Sequence, residues 1–441
     1  MIRPHSSPLY GGASFHDGIS FNAETQRVVL KAVGSAPTIT NLTSAFTFTC
    51  GNQSMYRGAN GLLVQAVTNT PRIEYDAGGS CLGLLMEASR TNLALQSQDL
   101  STSHSLAALL AFGSGSTVNA IAAPDGTTTA DKIVEDTSTT LHRIRQTTDV
   151  TIASGNTVAF SYFVKAAERT RCRLRITENT FASAYEVSFN LATATVGTAI
   201  TTGVAVGVPG SSFITAYANG WYRIGIAAAI NGGFLTCRTN LELEDASGNN
   251  AYTGDGASGL YAWGEQIEVG NFASSYIPTT TIAVARTADS CIRTLGSEFS
   301  ATAGTVVIQG RASRGRDGSS AQTSFDLNDA SALNSISLNR PAAGDVARFS
   351  VITATVEQGP VDATFVNSSN YKAAMAFALN DLAFSFNGAA VSTDTVATLP
   401  TATRLELGCG VVGTLQANGH IRTFDYYPMR QSDAFLQLAS A

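Results

Sequence analysis

The densest charge in the sequence is the alternating run RTRCRLRIT, which sets Arg169, Arg171, Arg173 and Arg175 two residues apart. At the two-residue period of a strand these guanidiniums share one face, while Thr170, Cys172, Leu174 and Ile176 share the other. A row of such forks can grip an anionic polysaccharide or a phosphorylated lipopolysaccharide core. A solvated outer sheet face gives the same pattern, neutralised by Glu242 and Glu244 or by a neighbouring subunit. Trp221 in NGWYR and Trp263 in YAWGEQ are the only tryptophans. An indole face can carry a stacked sugar ring, and in strand segments like these it can equally pack a core.

Residues suited to bond breaking are fewer. Glu242 and Glu244 project from one strand with side chains roughly 6–7 Å apart, a spacing that a glycosidase pair can use but that any exposed strand with two acids also shows. No nucleophile elbow stands in a strand–turn–helix context, so an enzyme is not expected. The Gly-rich acidic loops TGDGASG and GRDGSS offer Asp255 and Asp317 as weak Ca²⁺ candidates, or are plain turns. The five histidines and six cysteines are scattered without metal-ligand spacing. The cysteines read as small buried hydrophobes, with Cys50–Cys81 the one disulfide worth testing. No cofactor is expected.

The elements that would hold these groups are strands. The chain has 441 residues, 40 of them glycine, and only 14% charged residues. The composition is rich in Thr, Ser and Ala and poor in helix formers, which favours an all-β fold of two or three domains. Residues 1–40 lack periodicity and suggest an extended arm, either floppy or packed on a larger particle. AFTFTC and NTPRIEYDAGGSCLGLLME suggest a small β-layer, so that residues 1–90 form an attachment region. From 91 to 290, NTVAFSYFVKA, RTRCRLRIT, YEVSFNLATATVG and TNLELEDASGNN alternate as an antiparallel sandwich or jelly roll. A second sandwich follows over 300–441, ending in one short helix with Ser432 as its N-cap. The net charge of −6 argues against nucleic-acid partners. No apolar run reaches spanning length and the start lacks a signal-peptide core, so folding in a cytoplasm without membrane insertion is expected.

The stretch GLLMEASRTNLALQSQDLS fits none of these chemistries. It reads as the seam between the small β-layer and the first sandwich. Leu84, Leu85, Leu93 and Leu95 would anchor a crossing strand. Glu87 and Arg90 would form a structural pair, and Asn92 would satisfy nearby backbone groups.

That stretch, followed in order by APDGTTTADKIVED, FSYFVKAAERTRCRLRI, NGWYRIGI, YTGDGASGLYAWGEQIEVGNFASSYIPTT and ARTADS, resembles a module of tailed-phage and prophage virion proteins. Such proteins are labelled tail fibres or minor structural proteins, and the module is similar to carbohydrate-binding β-sandwiches. The resemblance runs from about Asn60 to Asp289. The later segments YKAAMAFALNDLAFSFNGAAVSTDTVATLP and NGHIRTFDYYPMRQSDAFLQLAS resemble a concanavalin-like (laminin-G-like) jelly roll. Residues 1–40 match nothing in the pattern. The resemblance implies a homotrimeric structural protein on the virion surface, on the tail or the capsid. It would be held by other virion proteins through its N-terminal region and would recognise host surface glycans without cleaving them. A capsid decoration or head fibre, or a glycan depolymerase, is the alternative.

Overall fold

Strand alternation runs through nearly the whole chain because β-branched, aromatic and small residues dominate it. The computed structural model describes residues 15–153, 155–230, 236–312, 320–342, 345–367, 369–411 and 413–441. The described residues form two antiparallel β-sandwiches and two α-helices, Leu42–Ala45 and Asp433–Ala439. Ser432 caps the second helix, its side chain accepting from the Phe435 amide, and Leu436 and Ala439 pack on the sheet below. No helix among the described residues is long and apolar enough to cross a membrane.

One sandwich is built from both ends of the chain. Its larger sheet runs, in spatial order, Thr38–Asn41, Arg27–Lys31, Gly18–Asn22, Gly419–Tyr427, Ala303–Arg311, Asn370–Ala378, Asp381–Phe386 and Ser392–Asp394. Cys81–Met86 also pairs with Gly419–Tyr427, and Ile73–Tyr75 pairs with Cys81–Met86. The facing sheet runs Val356–Thr364, Val346–Thr353, Ser335–Arg340, Gln322–Asn328, Arg404–Leu407, Ser290–Thr294 and Thr47–Thr49. One apolar core fills the space between them and includes Ile19, Phe21, Phe48, Leu84, Phe325, Phe349, Phe384 and Phe424.

This corrects the expected arm and separate β-layer over residues 1–90; of these, residues 1–14 lie outside the described chain. From Gly18 onward the chain is no arm. Ile19 and Phe21 need a core that a short isolated ribbon cannot supply. They find it by pairing with the final strand, Ile19 opposite Tyr426 and Phe21 opposite Phe424.

The second sandwich is an insertion into the first. The chain leaves through the short strand Arg90–Asn92 and returns through Val284–Arg286. These two pair antiparallel, Asn92 opposite Val284 and Arg90 opposite Arg286. Between them, one sheet runs His104–Ala107, Arg143–Gln146, Thr236–Leu243, Arg171–Thr177, Ala184–Asn190, Thr195–Thr202. The other runs Thr117–Ile121, Ala130–Val134, Gly259–Val269, Thr157–Ala166, Tyr222–Ile230, Ala205–Gly207. The alternation read from the sequence is realised: Val158, Phe160, Tyr162 and Val164 meet Cys172, Leu174 and Ile176 in a fully buried core.

The outer face of the second sheet is apolar too, because it is covered. Phe163, Trp221, Trp263 and Tyr276 pack with Met55 and Leu63 from the first part of the chain. Rings lie 4.9 Å apart for Trp263–Tyr276 and 5.6 Å for Phe163–Trp263, separations at which aromatic pairs attract. The backbone joins in, with the Met55 amide donating to the Tyr276 carbonyl at 2.7 Å.

Candidate functional site

Where the chain crosses between sandwiches, the seam is a buried ionic cluster. Arg72 and Arg286, each 1% exposed, hold Glu87 at 2.8 and 3.4 Å. Arg72 also donates to Asp289, and Asp289 accepts the Glu87 amide at 2.8 Å. Ser275 adds its amide and hydroxyl to the Glu87 carboxylate. Burial alone would raise the Glu87 pKa; Arg286 and Arg72 outweigh it and hold the carboxyl well below the usual range. The expected Glu87–Arg90 pair is therefore corrected. The cations that hold Glu87 come from Arg72 and Arg286, whereas Arg90 lies against Gly270 with its guanidinium 5.4 Å from the centre of the Phe272 ring. Asn92 is fully buried. Its amide donates to the carbonyls of Glu265 and Ile277, and its oxygen accepts from the amides of Ala94 and Ile267.

Beside this cluster a cleft of about 560 Å³ opens between the two sandwiches. On one wall Glu74 and His420 join at 2.7 Å, Oε2 to Nε2. Burial pushes the Glu74 carboxyl up, but the His420 hydrogen bond and charge, with Arg57, hold it below the usual range. Arg57 bridges the walls, donating from Nε to the Tyr75 carbonyl and from Nη1 to the Ala216 carbonyl at 2.8 Å. Its guanidinium lies 4.6 Å from the centre of the partly exposed Tyr217 ring. Arg311, also at the cleft, is tied to Asn370 by one 3.2 Å bond. Strands position each of them: Arg57 ends Met55–Arg57, which pairs with Leu63–Gln65 in a separate ribbon, Glu74 and His420 stand in the outer-sandwich strands Ile73–Tyr75 and Gly419–Tyr427, and Tyr217 follows the insert strand Phe213–Ala216. Sequence reasoning missed Arg57, Glu74, Tyr217 and His420. They come from four distant segments and no spacing links them.

The residues singled out from the sequence lie elsewhere. Arg169 is taken by Glu135, with Nε to Oε2 at 2.7 Å. Arg173 is bound by Glu244 at 2.9 Å and Glu186 at 2.8 Å. Arg171 lies 3.6 Å from Glu244, and Arg175 lies 3.6 Å from Glu186 and 3.8 Å from Glu242. The arginine row is thus largely matched by carboxylates of its own sheet. Glu242 and Glu244 are fully buried under those arginines, which removes them as an exposed catalytic pair. Trp221 and Trp263 are also fully buried, their indole nitrogens donating to the Ala122 carbonyl and the Thr129 hydroxyl. They join the insert to its base and present no face to a sugar. Asp255 spends its oxygens on the amides of Ala257 and Ser258 and on the Ser258 hydroxyl. No group of metal-ligating residues is found among the described residues, and Asp317 lies outside them. Cys50 and Cys81 are buried free thiols, not a disulfide; Cys50 donates to the Val67 and Thr70 carbonyls.

No protein-family model matches the chain, and no curated protein sequence does. Among solved structures it is similar to the CBM40 module of a Ruminococcus gnavus IT-sialidase bound to α2,3-sialyllactose. That match has 14% identity and a TM-score of 0.27, and covers 32% of this chain and 84% of that one. It is also similar to domains LG4-5 of the mouse laminin α1 chain, at 8% identity and TM-score 0.21, covering 82% and 91%. A Trypanosoma rangeli sialidase in complex with sialic acid is similar at 12% identity and TM-score 0.27, covering 70% and 60%. Likenesses of this extent assign neither a ligand nor an activity.

Proposed function

We propose that this is a structural protein of a tailed-phage virion, of the tail-fibre or receptor-binding kind, which holds host surface glycans in the cleft between its sandwiches without cleaving them. The virion placement and a homotrimeric state are supported by the ordered segments from Asn60 to Asp289 that resemble such proteins. The cleft carries the binding part of the reading. It sets guanidiniums at Arg57 and Arg311, the Glu74–His420 pair and the partly exposed Tyr217 ring around one concavity. Sugar hydroxyls donate and accept at once, and their C–H faces stack on rings, so this mixture suits them.

A binding role is favoured over cleavage because the carboxylates of the cleft are committed. Glu74 is kept ionised by His420 and Arg57, Glu87 by Arg286 and Arg72, and Asp76 accepts the amides of Gly78 and Ser80. A glycosidase needs one carboxyl poised to give up a proton near neutral pH.

A glycan array with the full chain tests this. Tyr217→Ala and Arg311→Ala should each weaken the best glycan about tenfold, worth about 1.4 kcal/mol, with melting unchanged in Arg311→Ala. A wild-type chain that binds no glycan sinks the binding reading, and reducing-sugar release from host polysaccharide sinks the non-catalytic one. Electron microscopy of labelled particles separates tail from capsid placement.

A further inference from the structure

The insert sheet that faces away from the cleft carries a second concentration of polar groups, several of them short of hydrogen-bond partners. The register across its strands sets Arg145, Asn240, Arg175 and Glu186 in one row, and Arg143, Glu242, Arg173 and Ser188 in the next. Two of the nearby arginines are settled: Arg173 by Glu186 and Glu244, and Arg238 by both oxygens of Asp149, at 2.7 and 2.8 Å. Arg143 and Arg175 are held less closely: Arg175 reaches Glu186 at 3.6 Å and Glu242 at 3.8 Å, beyond hydrogen-bond range. Among the described residues neither guanidinium donates a hydrogen bond, and the Nε of each is buried without a partner. Between them Asn240 is fully buried, and neither its amide nitrogen nor its oxygen has a partner. Native interiors rarely leave a side-chain amide wholly unsatisfied.

Phe181 covers this spot. The guanidiniums of Arg143, Arg175 and Arg238 lie 4.8, 5.7 and 4.8 Å from its ring centre. The ring softens the repulsion among these cations but offers no hydrogen-bond acceptor. Phe181 sits at φ 63°, a left-handed conformation that bulky residues rarely adopt. Two carboxyls flank the spot: Glu186, held by Arg173 at 2.8 Å, and Glu242, which spends Oε2 on Asn250. Burial pushes the Glu242 carboxyl up.

We propose that this face is a second binding site, for the acidic group of a polysaccharide, which Arg143 and Arg175 grip and Asn240 completes once Phe181 moves off them. Forked guanidiniums fit carboxylate, sulfate or phosphate oxygens, the amide adds both a donor and an acceptor for a neighbouring hydroxyl, and the displaced ring can lie against the sugar. Nucleic acid is disfavoured by the net charge of −6 and by a patch only two loosely held guanidiniums wide. The site shares no residue with the cleft and does not rest on the function proposed for it.

The test uses the full chain in calorimetric titrations with dextran sulfate, alginate, neutral dextran and inorganic sulfate at matched anion concentration. Wild type should bind the acidic polymers and not dextran. Arg143→Gln with Arg175→Gln should weaken binding at least tenfold, Arg143→Lys should weaken it less, and Phe181→Gly should tighten it severalfold. Arg348→Gln, which removes a partly exposed cation paired with Asp362 on the other sandwich, should change nothing. Failure to bind any acidic polymer overturns the proposal, as does binding that survives the double substitution or falls equally with Arg348→Gln. If the double variant melts early, Arg143→Lys decides, and wild-type affinity in it counts against the site. Inorganic sulfate binding as tightly as the polymers overturns the polysaccharide assignment, and weaker binding by Phe181→Gly overturns the covering role of that ring.

Discussion

Single residues in this chain act through partners far away in sequence. Glu87 is the clearest case, since its cations come from positions 72 and 286. Breaking a buried ionic cluster by removing one charge costs about 3–5 kcal/mol, so Glu87→Gln should lower the urea midpoint by that equivalent. A variant as stable as wild type would mean that the cluster contributes nothing net. His104 gives the pH counterpart. Its side chain is fully buried 2.8 Å from Glu265. Burial alone would lower the imidazole pKa, but the Glu265 hydrogen bond and charge raise it above the ordinary 6.5. A histidine whose folded pKa is raised contributes stability in full below the unfolded value and loses it as pH rises through the folded one. Stability should therefore fall from about pH 6.5 upward, and His104→Gln should flatten that slope in urea titrations. Neither partnership could be read beforehand. Glu87 and Arg90 are close in sequence and oppositely charged, which suggests a pair, whereas the real contacts depend on which strands become neighbours.

At the scale of elements, the sequence was informative about faces and silent about neighbours. The period of two in RTRCRLRIT put Cys172, Leu174 and Ile176 inward, as found. It offered Glu242 and Glu244 as partners of the arginines, and they lie against Arg171, Arg173 and Arg175, but it could not add Glu186, because the pairing of strands is not written in either strand alone. The arginine face was legible as a charged sheet surface, but its loosely held members, Arg143 and Arg175 with Asn240, emerge only from the register of three strands. The arm expected over residues 1–40 fails from Gly18 onward for the same reason: the partner of Gly18–Asn22 lies at the far end of the chain. One element carries a sharp backbone requirement. Cys81–Met86 pairs with Gly419–Tyr427, Leu84 opposite Ile421, and Gly83 has φ 133°. A Cβ there would stand 2.6 Å from the Ile421 carbonyl oxygen. Gly83→Ala should therefore cost more than about 1 kcal/mol, read as a lower melting temperature with circular dichroism otherwise unchanged. Equal stability would show that the two strands can separate at no cost.

The whole molecule is one sandwich interrupted by another, and this arrangement makes a strong claim about folding units. The outer sandwich has its own core, drawn from Ile19 through Met86 and from Cys291 through Tyr426. The chain crosses to the insert at a single paired site, Asn92 opposite Val284. Facing residues of an antiparallel pair have Cα atoms about 4.5–5.5 Å apart, a gap that a two-residue Asn-Gly hairpin turn closes. Replacing residues 93–283 by that turn should leave a chain that folds, with strand-type circular dichroism and one cooperative unfolding transition. It should be less stable than the outer sandwich within the whole protein. Glu87 would lose its two hydrogen bonds from Ser275, and Met55 and Leu63 would lose the aromatic cluster that now covers them. Polar substitutions at Met55 and Leu63 should recover solubility without restoring stability. A chain without cooperative unfolding even then would mean that the insert is part of the folding nucleus of its host, and the two cores would have to be regarded as one unit.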